Sequence, residues 1–236
     1  MRYSAKDIRT AARAAFPHTI PVLTGYLFLG TAFGVLLQSK GFGVGWAALM
    51  SVSIYAGAMQ FVAVGLLAAG FHPLTAAIMT LMVNARHIFY GISMLEKFAD
   101  MKKLKPYMIF SLTDETYSLL CSVEPPEGCD GRLFRFCIAL LDHSYWIAGG
   151  IIGSLLGAAI KFNSQGIDFV MTALFVVIFL EQWQSKKGRL PALIGVGSSI
   201  ACLLLFDAQW FLIPAMVLLT VLLFVFRGRI ERGSEQ

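Results

Sequence analysis

Long apolar stretches separated by short polar connections dominate this chain of 236 residues. A membrane-spanning helix needs about 20 mostly apolar residues. Eight stretches qualify as candidates, namely 17–38, 43–69, 73–95, 106–122, 134–160, 167–184, 190–206 and 208–226. Helices are expected throughout, because lipid offers no partners for the backbone groups of an open sheet. The sequence therefore predicts an all-α, polytopic membrane protein with about seven to eight membrane segments.

Composition agrees with this fold class. Hydrophobic residues make up 57% of the chain and charged residues 14%, whereas an average soluble protein has about 25% charged residues. No connection between the stretches is long enough for a soluble domain, so residues 1–236 are predicted to form a single transmembrane domain. The four cysteines lack C-x-x-C or metal-ligand spacing, and we expect neither a metal nor a cofactor.

Positive charge marks both ends of the chain. A basic segment, 1–16, precedes the first stretch, and a basic tail, 227–236, follows the last. Basic segments stay on the cytoplasmic side, so both termini are predicted to be cytoplasmic. Lysines between 97 and 105 conflict with this topology, because three full crossings would place them outside. A broken or re-entrant helix in the first half removes the conflict, and 43–69 and 106–122 are the candidates.

A glycine motif occurs in both halves of the chain. Gly30-x-x-x-Gly34 matches Gly149-x-x-x-Gly153, each followed by a leucine pair. The match predicts a two-fold internal repeat, an arrangement common in secondary transporters. Small residues at every fourth position, including Gly157, let two helices approach closely. We expect tight packing within the chain, and the alternative is a docking face for a partner subunit.

Ionisable residues lie inside several of the apolar stretches. A charge in hydrocarbon costs at least ~2.5–3.5 kcal/mol at mid-depth, so such residues usually line a polar pathway or pair with one another. Arg86 is a candidate for holding an anion, with snorkelling to lipid phosphate or an ion pair as alternatives. His87 has a reference pKa of about 6.5 and is a candidate proton carrier, or else it forms a structural hydrogen bond. Asp114 and Glu115 are adjacent and cannot both point inward, and Asp114 is slightly favoured.

The stretch from Tyr55 to Phe61, Tyr-Ala-Gly-Ala-Met-Gln-Phe, lies near the middle of the second candidate segment. A helix interrupted there presents backbone N–H groups, and its positive end suits a carboxylate. The alternative is an ordinary close helix crossing. Asp142-His143 and Glu181-Gln182 are weaker candidates, because each pair lies close to a predicted span end.

Four motifs in the first half of the chain together resemble the AzlC/YgaZ family. They are Pro21-x-x-x-Gly25-Tyr26 with Gly30-x-x-Phe33-Gly34, then Tyr55-Ala56-Gly57-Ala58-x-Gln60-Phe61, then Asn84-x-Arg86-His87-x-x-Tyr90-Gly91, and finally Thr113-Asp114-Glu115. One departure is Met59, where the family leads us to expect a small residue.

The resemblance implies the large subunit of a branched-chain amino-acid exporter in the bacterial cytoplasmic (inner) membrane. It implies efflux of valine, leucine, isoleucine and sometimes methionine, together with a small membrane subunit of the AzlD/YgaH type. The substrate-binding positions that the resemblance implies are Tyr55, Gly57, Gln60, Asn84, Arg86, Asp114 and Glu115.

Export against a gradient needs a source of energy. The sequence has no Walker A loop, no H-E-x-x-H and no G-x-S-x-G, so we expect a gradient-driven transporter and not an enzyme. The predicted proton-coupling residues are His87 and Asp114. Two alternatives are a passive channel for a small polar solute and, less favoured, a membrane-embedded enzyme.

Overall fold

A computed structural model describes residues 4–159, 186–206 and 211–226, with isolated positions 176, 179, 180 and 183. All regular elements in these residues are helical, which confirms the predicted all-α class. The chain divides into two compact units, Met1–Asp168 and Phe169–Gln236. The single transmembrane domain over 1–236 stays a prediction.

The first unit contains seven helices in its described part, and a 3₁₀ turn, Lys102–Leu104, precedes the fifth. These helices are α1 (Ala5–Ser39), α2 (Val44–Ser53), α3 (Gly57–Ala68), α4 (Pro73–Ser93), α5 (Lys105–Phe110), α6 (Asp114–Ser122) and α7 (Gly131–Ala159). The described part of the second unit contains α8 (Lys186–Leu205) and α9 (Leu212–Val225), which pack against each other. Most of the predicted segment 167–184 lies outside the described residues.

The first helix begins well before the apolar stretch predicted at 17–38. Ser4 and Asp7 form a capping box, in which the Ser4 hydroxyl accepts the Asp7 N–H and the Asp7 carboxylate accepts the Ser4 N–H. This cap starts α1 at Ala5, so the basic N-terminal residues from Lys6 onward are helical. Local capping chemistry thus extends the helix beyond its apolar part.

Both stretches proposed as broken are interrupted. Helix α2 ends at Ser53 and α3 begins at Gly57, and between them Tyr55 adopts a φ of 43°, which few residues other than glycine adopt. Helix α5 ends at Phe110 and α6 begins at Asp114. The re-entrant path of either segment through a membrane stays a prediction.

Two of the described helices, α1 and α7, are long and apolar enough to cross a membrane. Shorter apolar helices include α2, α3 and the part of α8 from Arg189 to Leu205. The count of seven to eight membrane segments therefore stays a prediction.

Helices α1 and α7 pack together through their glycines. A Cβ atom on Gly30 would lie 3.0 Å from the Cα of Gly149, and a Cβ on Gly149 would lie 2.7 Å from the carbonyl oxygen of Tyr26. A Cβ on Gly153 would overlap the Thr31 carbonyl. The expected tight internal packing is confirmed. The alternative of a docking face is wrong for this glycine row, because α1 of the same chain occupies it.

An apolar core holds the interrupted helices in place. It includes the buried side chains Ala11, Ala15, Met94, Phe98, Met101, Met108, Leu112, Leu120, Leu133, Phe134, Cys137, Ile138 and Ala139. Leu112 belongs to the α5–α6 interruption, so the irregular backbone there is packed within protein. Such packing is what irregular backbone at membrane depth requires.

Candidate functional site

The interruptions in the two broken stretches meet at Tyr26 of α1. The Tyr26 ring packs edge-on against Tyr55, with ring centroids 6.3 Å apart. Its hydroxyl lies 2.6 Å from the Thr113 hydroxyl, which caps the start of α6. One side chain therefore connects the α2–α3 and α5–α6 interruptions, which are remote in sequence.

A buried polar cluster surrounds this meeting point. It consists of Tyr26, Ser51, Tyr55, Gln60, Thr113, Glu115, Thr116, Asp142, His143 and Trp146. Asp142, Gln60 and Thr116 have no exposed surface. The name "buried cluster" refers below to these ten residues.

A chain of hydrogen-bonding oxygens joins two carboxylates of the buried cluster. Thr116 Oγ1 donates to Asp142 Oδ2 at 2.9 Å and lies 3.1 Å from Thr113 Oγ1. Thr113 Oγ1 contacts the Tyr26 hydroxyl, which lies 2.7 Å from Glu115 Oε2. Side chains from α1, α6 and α7 thus form one continuous polar path.

Several polar atoms of the buried cluster have spare hydrogen-bonding capacity. Gln60 Nε2, Asp142 Oδ1 and Ser51 Oγ are buried and have no hydrogen-bond partner within the part of the chain that the structure describes. The first turn of α3 also has no side-chain cap from any described residue. Each unsatisfied buried group costs about 1–3 kcal/mol. A small polar ligand in this region would offset that cost.

His143 hydrogen-bonds through both of its ring nitrogens. Its Nδ1 lies 3.0 Å from the Tyr107 hydroxyl, and its Nε2 lies 3.1 Å from the Ser51 carbonyl oxygen. A carbonyl only accepts, so Nε2 carries a hydrogen and donates it to the Ser51 carbonyl. The ring also stacks on Tyr55, with centroids 4.2 Å apart. His143 therefore anchors the α2–α3 interruption to α7.

A second group, the Arg86 cluster, consists of Asn84, Arg86, His87, Tyr90 and Asp114. Arg86 Nη2 lies 2.8 Å from Asp114 Oδ2, and the Tyr90 hydroxyl donates to Asp114 Oδ1 at 2.8 Å. The side chains of Arg86 and Asp114 are 37% and 35% exposed. This geometry is the ion pair that the sequence allowed as an alternative for Arg86.

His87 and Asn84 contact each other within α4. His87 Nδ1 lies 3.2 Å from the Asn84 carbonyl oxygen, one helical turn earlier, and the His87 ring packs edge-on against Tyr90. Asp114 is the first residue of α6, where a negative charge interacts favourably with the helix dipole. The two residues predicted to couple protons therefore both belong to the Arg86 cluster.

The predicted site residues divide between the two clusters. Tyr55, Gln60 and Glu115 belong to the buried cluster, and Gly57 lies beside it, where a Cβ would be 3.1 Å from the Trp146 ring. Asn84, Arg86, His87 and Asp114 form most of the other. Asp114 and Glu115 point to different helices, as their adjacency requires, and Glu115 is the one that reaches α1.

Some members of the buried cluster were not predicted as site residues. Asp142 and His143 were only weak candidates, although a charged pair inside an apolar stretch pointed to them. Thr116 and Trp146 are unremarkable in sequence, and only the fold brings them to the cluster. Glu181 and Gln182 lie outside the described residues. Over the described ranges, no group of three or more histidine, cysteine or acidic side chains is arranged to hold a metal.

Comparison with known proteins places this geometry in a family. The AzlC protein family matches residues 21–160, a range that includes every member of both clusters. The chain belongs to the AzlC family. The resemblance noted from the motifs is thereby confirmed.

Relatives cover nearly the whole length of this AzlC-family chain. The Bacillus subtilis branched-chain amino acid transport protein AzlC is 48% identical over 228 residues, 97% of this chain and 90% of that protein. An uncharacterised membrane protein of Helicobacter pylori is 44% identical over 225 residues, 95% of this chain and 99% of the relative. The inner membrane protein YgaZ of Escherichia coli is 28% identical over 176 residues, 72% of each chain. No solved structure matches. Like these relatives, the chain is a membrane protein.

Proposed function

We propose that this protein is the large subunit of a secondary transporter that exports branched-chain amino acids from the bacterial cytoplasm. Valine, leucine and isoleucine are the proposed substrates, with methionine as a further candidate. The observation that carries the proposal is the buried cluster, where two helix interruptions meet around unsatisfied polar atoms. The identity of 48% to a branched-chain amino acid transport protein supports the substrate class.

The buried cluster contains the groups that an aliphatic amino acid requires. The first turn of α3, which has no side-chain cap, and the Nε2 of Gln60 suit a carboxylate. Asp142 Oδ1 and the carboxylate of Glu115 suit an ammonium group. The aromatic rings of Tyr55 and Trp146 supply apolar surface for the side chain. Tyr55, Gly57, Gln60 and Glu115 are therefore the proposed substrate-binding residues of this cluster.

The Arg86 cluster is a second, more exposed binding site for the substrate. Arg86 is matched by Asp114, so a zwitterionic substrate that binds there exchanges one ion pair for another at little net cost. Asn84 and His87 lie on the same helix. We propose that substrate passes between this second site and the buried cluster during export.

Family membership supports a proposal for the membrane location and the partner. We propose a multi-pass protein of the bacterial inner membrane with both termini in the cytoplasm, since one relative is named an inner membrane protein and both ends of the chain are basic. A small membrane subunit of the AzlD/YgaH type is the proposed partner. With this subunit absent, we expect export to be poor.

Transport of valine by reconstituted protein tests the function. The chain is placed in liposomes with and without the small subunit, and uptake of labelled valine into vesicles loaded with unlabelled valine is measured. We expect exchange with both subunits, and uphill accumulation under a proton gradient that an uncoupler abolishes. Net valine movement that only runs down its own gradient, with no uphill accumulation under a proton gradient, indicates a passive channel, and no valine movement under any condition contradicts the proposal.

A matched pair of glutamine variants links transport to the buried cluster. Gln60→Ala removes the buried amide whose Oε1 accepts from Trp146. Gln38→Ala removes another interhelical amide, whose Oε1 accepts from Ser154 in the α1–α7 contact. We expect weaker apparent affinity for valine with Gln60→Ala only. An equal effect of both variants contradicts a binding role for Gln60.

A further inference from the structure

We propose that Asp142 and Glu115 share one proton along the hydroxyls of Thr116, Thr113 and Tyr26, and that this proton couples transport to the proton gradient. The coupling role rests on the proposed transport function, whereas the sharing of the proton rests on geometry alone. These five side chains are called the hydroxyl chain below.

The two ends of the hydroxyl chain differ in their access to the surface. Asp142 and Thr116 have no exposed surface, and Tyr26 and Thr113 are only 3% and 6% exposed. As a whole residue, Glu115 is partly exposed. The hydroxyl chain therefore connects a fully buried residue with one that keeps some exposed surface.

Counting protons shows that one carboxylate must be protonated. The hydroxyl chain has four oxygen–oxygen contacts, of 2.9, 3.1, 2.6 and 2.7 Å, and each needs one hydrogen. The three hydroxyl groups supply three hydrogens, because each has one to donate. With both carboxylates ionised, one contact would bring lone pairs together without a hydrogen. The fourth hydrogen therefore belongs to Asp142 or Glu115.

The fourth proton has two possible positions, one on each carboxylate. When Glu115 holds it, Glu115 donates to Tyr26, and the donations continue through Thr113 and Thr116 to Asp142. When Asp142 holds it, every donation is reversed. The two states interconvert as each oxygen gains one O–H bond and loses another, so one proton leaves one carboxyl group and one arrives at the other. No heavy atom has to move.

This arrangement can exchange a proton for an ammonium group. Asp142 Oδ1 is buried and without a hydrogen-bond partner in the described ranges. A substrate ammonium beside that oxygen favours the ionised form of Asp142 and sends the shared proton to Glu115. We assign Glu115 as the exit for the proton, because it keeps more exposed surface than the other four members of the hydroxyl chain. Binding of substrate from one side and release of a proton thereby become linked.

Other titratable or charged groups face the hydroxyl chain. Tyr55 comes from the α2–α3 interruption, Tyr107 from α5 and His143 from α7. The Arg86–Asp114 ion pair acts on Glu115 from α4 and α6. Tyr107 and His143 hydrogen-bond to each other, and Asp114 pairs with Arg86, so these four residues influence the hydroxyl chain without belonging to it.

A tyrosine variant with a matched control tests the coupling. Tyr26→Phe removes the hydroxyl next to Glu115 and keeps both carboxylates, whereas Tyr145→Phe removes a buried hydroxyl of α7 that contacts Thr19 of α1 at 3.0 Å. We expect the ratio of proton-driven uphill accumulation to valine exchange to fall about a hundredfold with Tyr26→Phe, the scale of a lost positioned proton donor. Tyr145→Phe should keep the wild-type ratio. A wild-type ratio in Tyr26→Phe overturns the coupling role.

Infrared spectroscopy of the purified protein tests the shared proton without substrate. We expect a protonated carboxyl band at neutral pH that shifts in heavy water. Asp142→Asn should abolish this band. The new amide donates an N–H to Thr116 and so supplies the fourth hydrogen, which leaves Glu115 ionised. Asp114→Asn, outside the hydroxyl chain, should keep it. A wild-type spectrum without the band, or a band that survives in Asp142→Asn, overturns the sharing. If valine exchange is absent while the band behaves as expected, the transport function fails and the shared proton stands.

Discussion

The indole Nε1 of Trp146 in α7 donates a hydrogen bond of 2.8 Å to the side-chain oxygen of Gln60 in α3. Both side chains are buried, and the Trp146 ring also packs edge-on against Tyr26, with centroids 5.3 Å apart. This contact fixes the first turn of α3 against α7 and orients the amide nitrogen of Gln60 into the buried cluster. The position of Gln60, a proposed binding residue, thereby depends on a tryptophan 86 residues later in the sequence.

Gly57→Ala should weaken transport through Trp146. A Cβ at this position would lie 3.1 Å from the Trp146 ring, so the ring or the α3 backbone must shift, and the bond to Gln60 lengthens. We expect reduced apparent affinity for valine in the exchange assay. Gly65→Ala is the control in the same helix, because its Cβ would have no described atom within 4 Å. If both variants exchange valine like the wild type, Gly57 is not required at the site.

Gly153→Ala should destabilise the α1–α7 contact. The added Cβ overlaps the Thr31 carbonyl, and overpacking of this kind costs about 1–3 kcal/mol. We expect a lower melting temperature in detergent and less monodisperse protein. Gly25→Ala on α1 meets no described atom within 4 Å and should stabilise the helix by about 0.5–1 kcal/mol. A melting temperature that does not fall in Gly153→Ala would contradict the tight interface.

Asp130 should stabilise the start of α7 in a pH-dependent manner. Its Oδ1 accepts the backbone N–H groups of Arg132 and Leu133, at 2.9 and 3.2 Å. The hydrogen bond from the Arg132 side chain lowers the pKa of Asp130 below its ordinary value. The ionised carboxylate is thus favoured in the folded state. Its stabilisation is complete above the ordinary carboxyl pKa of about 3.9 and is lost as the pH falls through the lowered value.

Melting temperatures of Asp130 variants in detergent at neutral and acidic pH check this expectation. Asp130→Ala should cost about 1 kcal/mol at neutral pH, the typical value of an N-cap. Asp130→Asn keeps a capping oxygen, so it should cost less and should remove part of the acid sensitivity. Glu127→Gln changes an exposed acid in the same loop and serves as the control. An acid sensitivity of Asp130→Asn equal to that of the wild type would refute the assignment.

The Arg86–Asp114 pair should matter for transport more than for folding. Both side chains are more than a third exposed, and exposed ion pairs contribute about 0–1 kcal/mol to stability. We expect Arg86→Ala and Asp114→Ala to reduce valine exchange with little change in melting temperature. The exchanged pair Arg86→Asp/Asp114→Arg should recover part of the loss. Glu124→Gln, which alters the 3.9 Å pair with Lys97, is the control. Equal losses in the control would remove the special role of Arg86 and Asp114.

The variant His87→Ala distinguishes two candidate carriers of the coupled proton. One is His87, which the sequence predicted, and the other is the hydroxyl chain. His87 bonds to the Asn84 carbonyl of its own helix, and among the described residues it has no hydrogen bond to the five side chains of the hydroxyl chain. If the hydroxyl chain carries the coupled proton, the variant keeps the pH dependence of uphill valine accumulation. Loss of this pH dependence, with valine exchange intact, would instead assign the coupled proton to His87.

Local sequence patterns predicted much of the fold. The length of the apolar stretches predicted helices, and the polar and small residues from Tyr55 to Gln60 marked an interruption that the structure shows between α2 and α3. The glycine rows predicted close packing, and α1 and α7 do meet there. These features depend on residues near one another in the chain, so they could be inferred without the fold. The start of α1 at Ala5 was missed, because the Ser4–Asp7 cap outweighed the polar character of the first residues.

The sequence by itself determined the family, the helical membrane class and the type of residue available for binding. It could not decide between Asp114 and Glu115, since either faces inward depending on the rotation of α6. The tertiary structure decided this, because packing of α6 places Asp114 beside Arg86 and Glu115 beside Tyr26. It also joined Asp142 to Thr116 across 26 positions of sequence. Such pairs depend on how helices rotate and pack against one another, and this packing cannot be inferred from the local periodicity of the sequence.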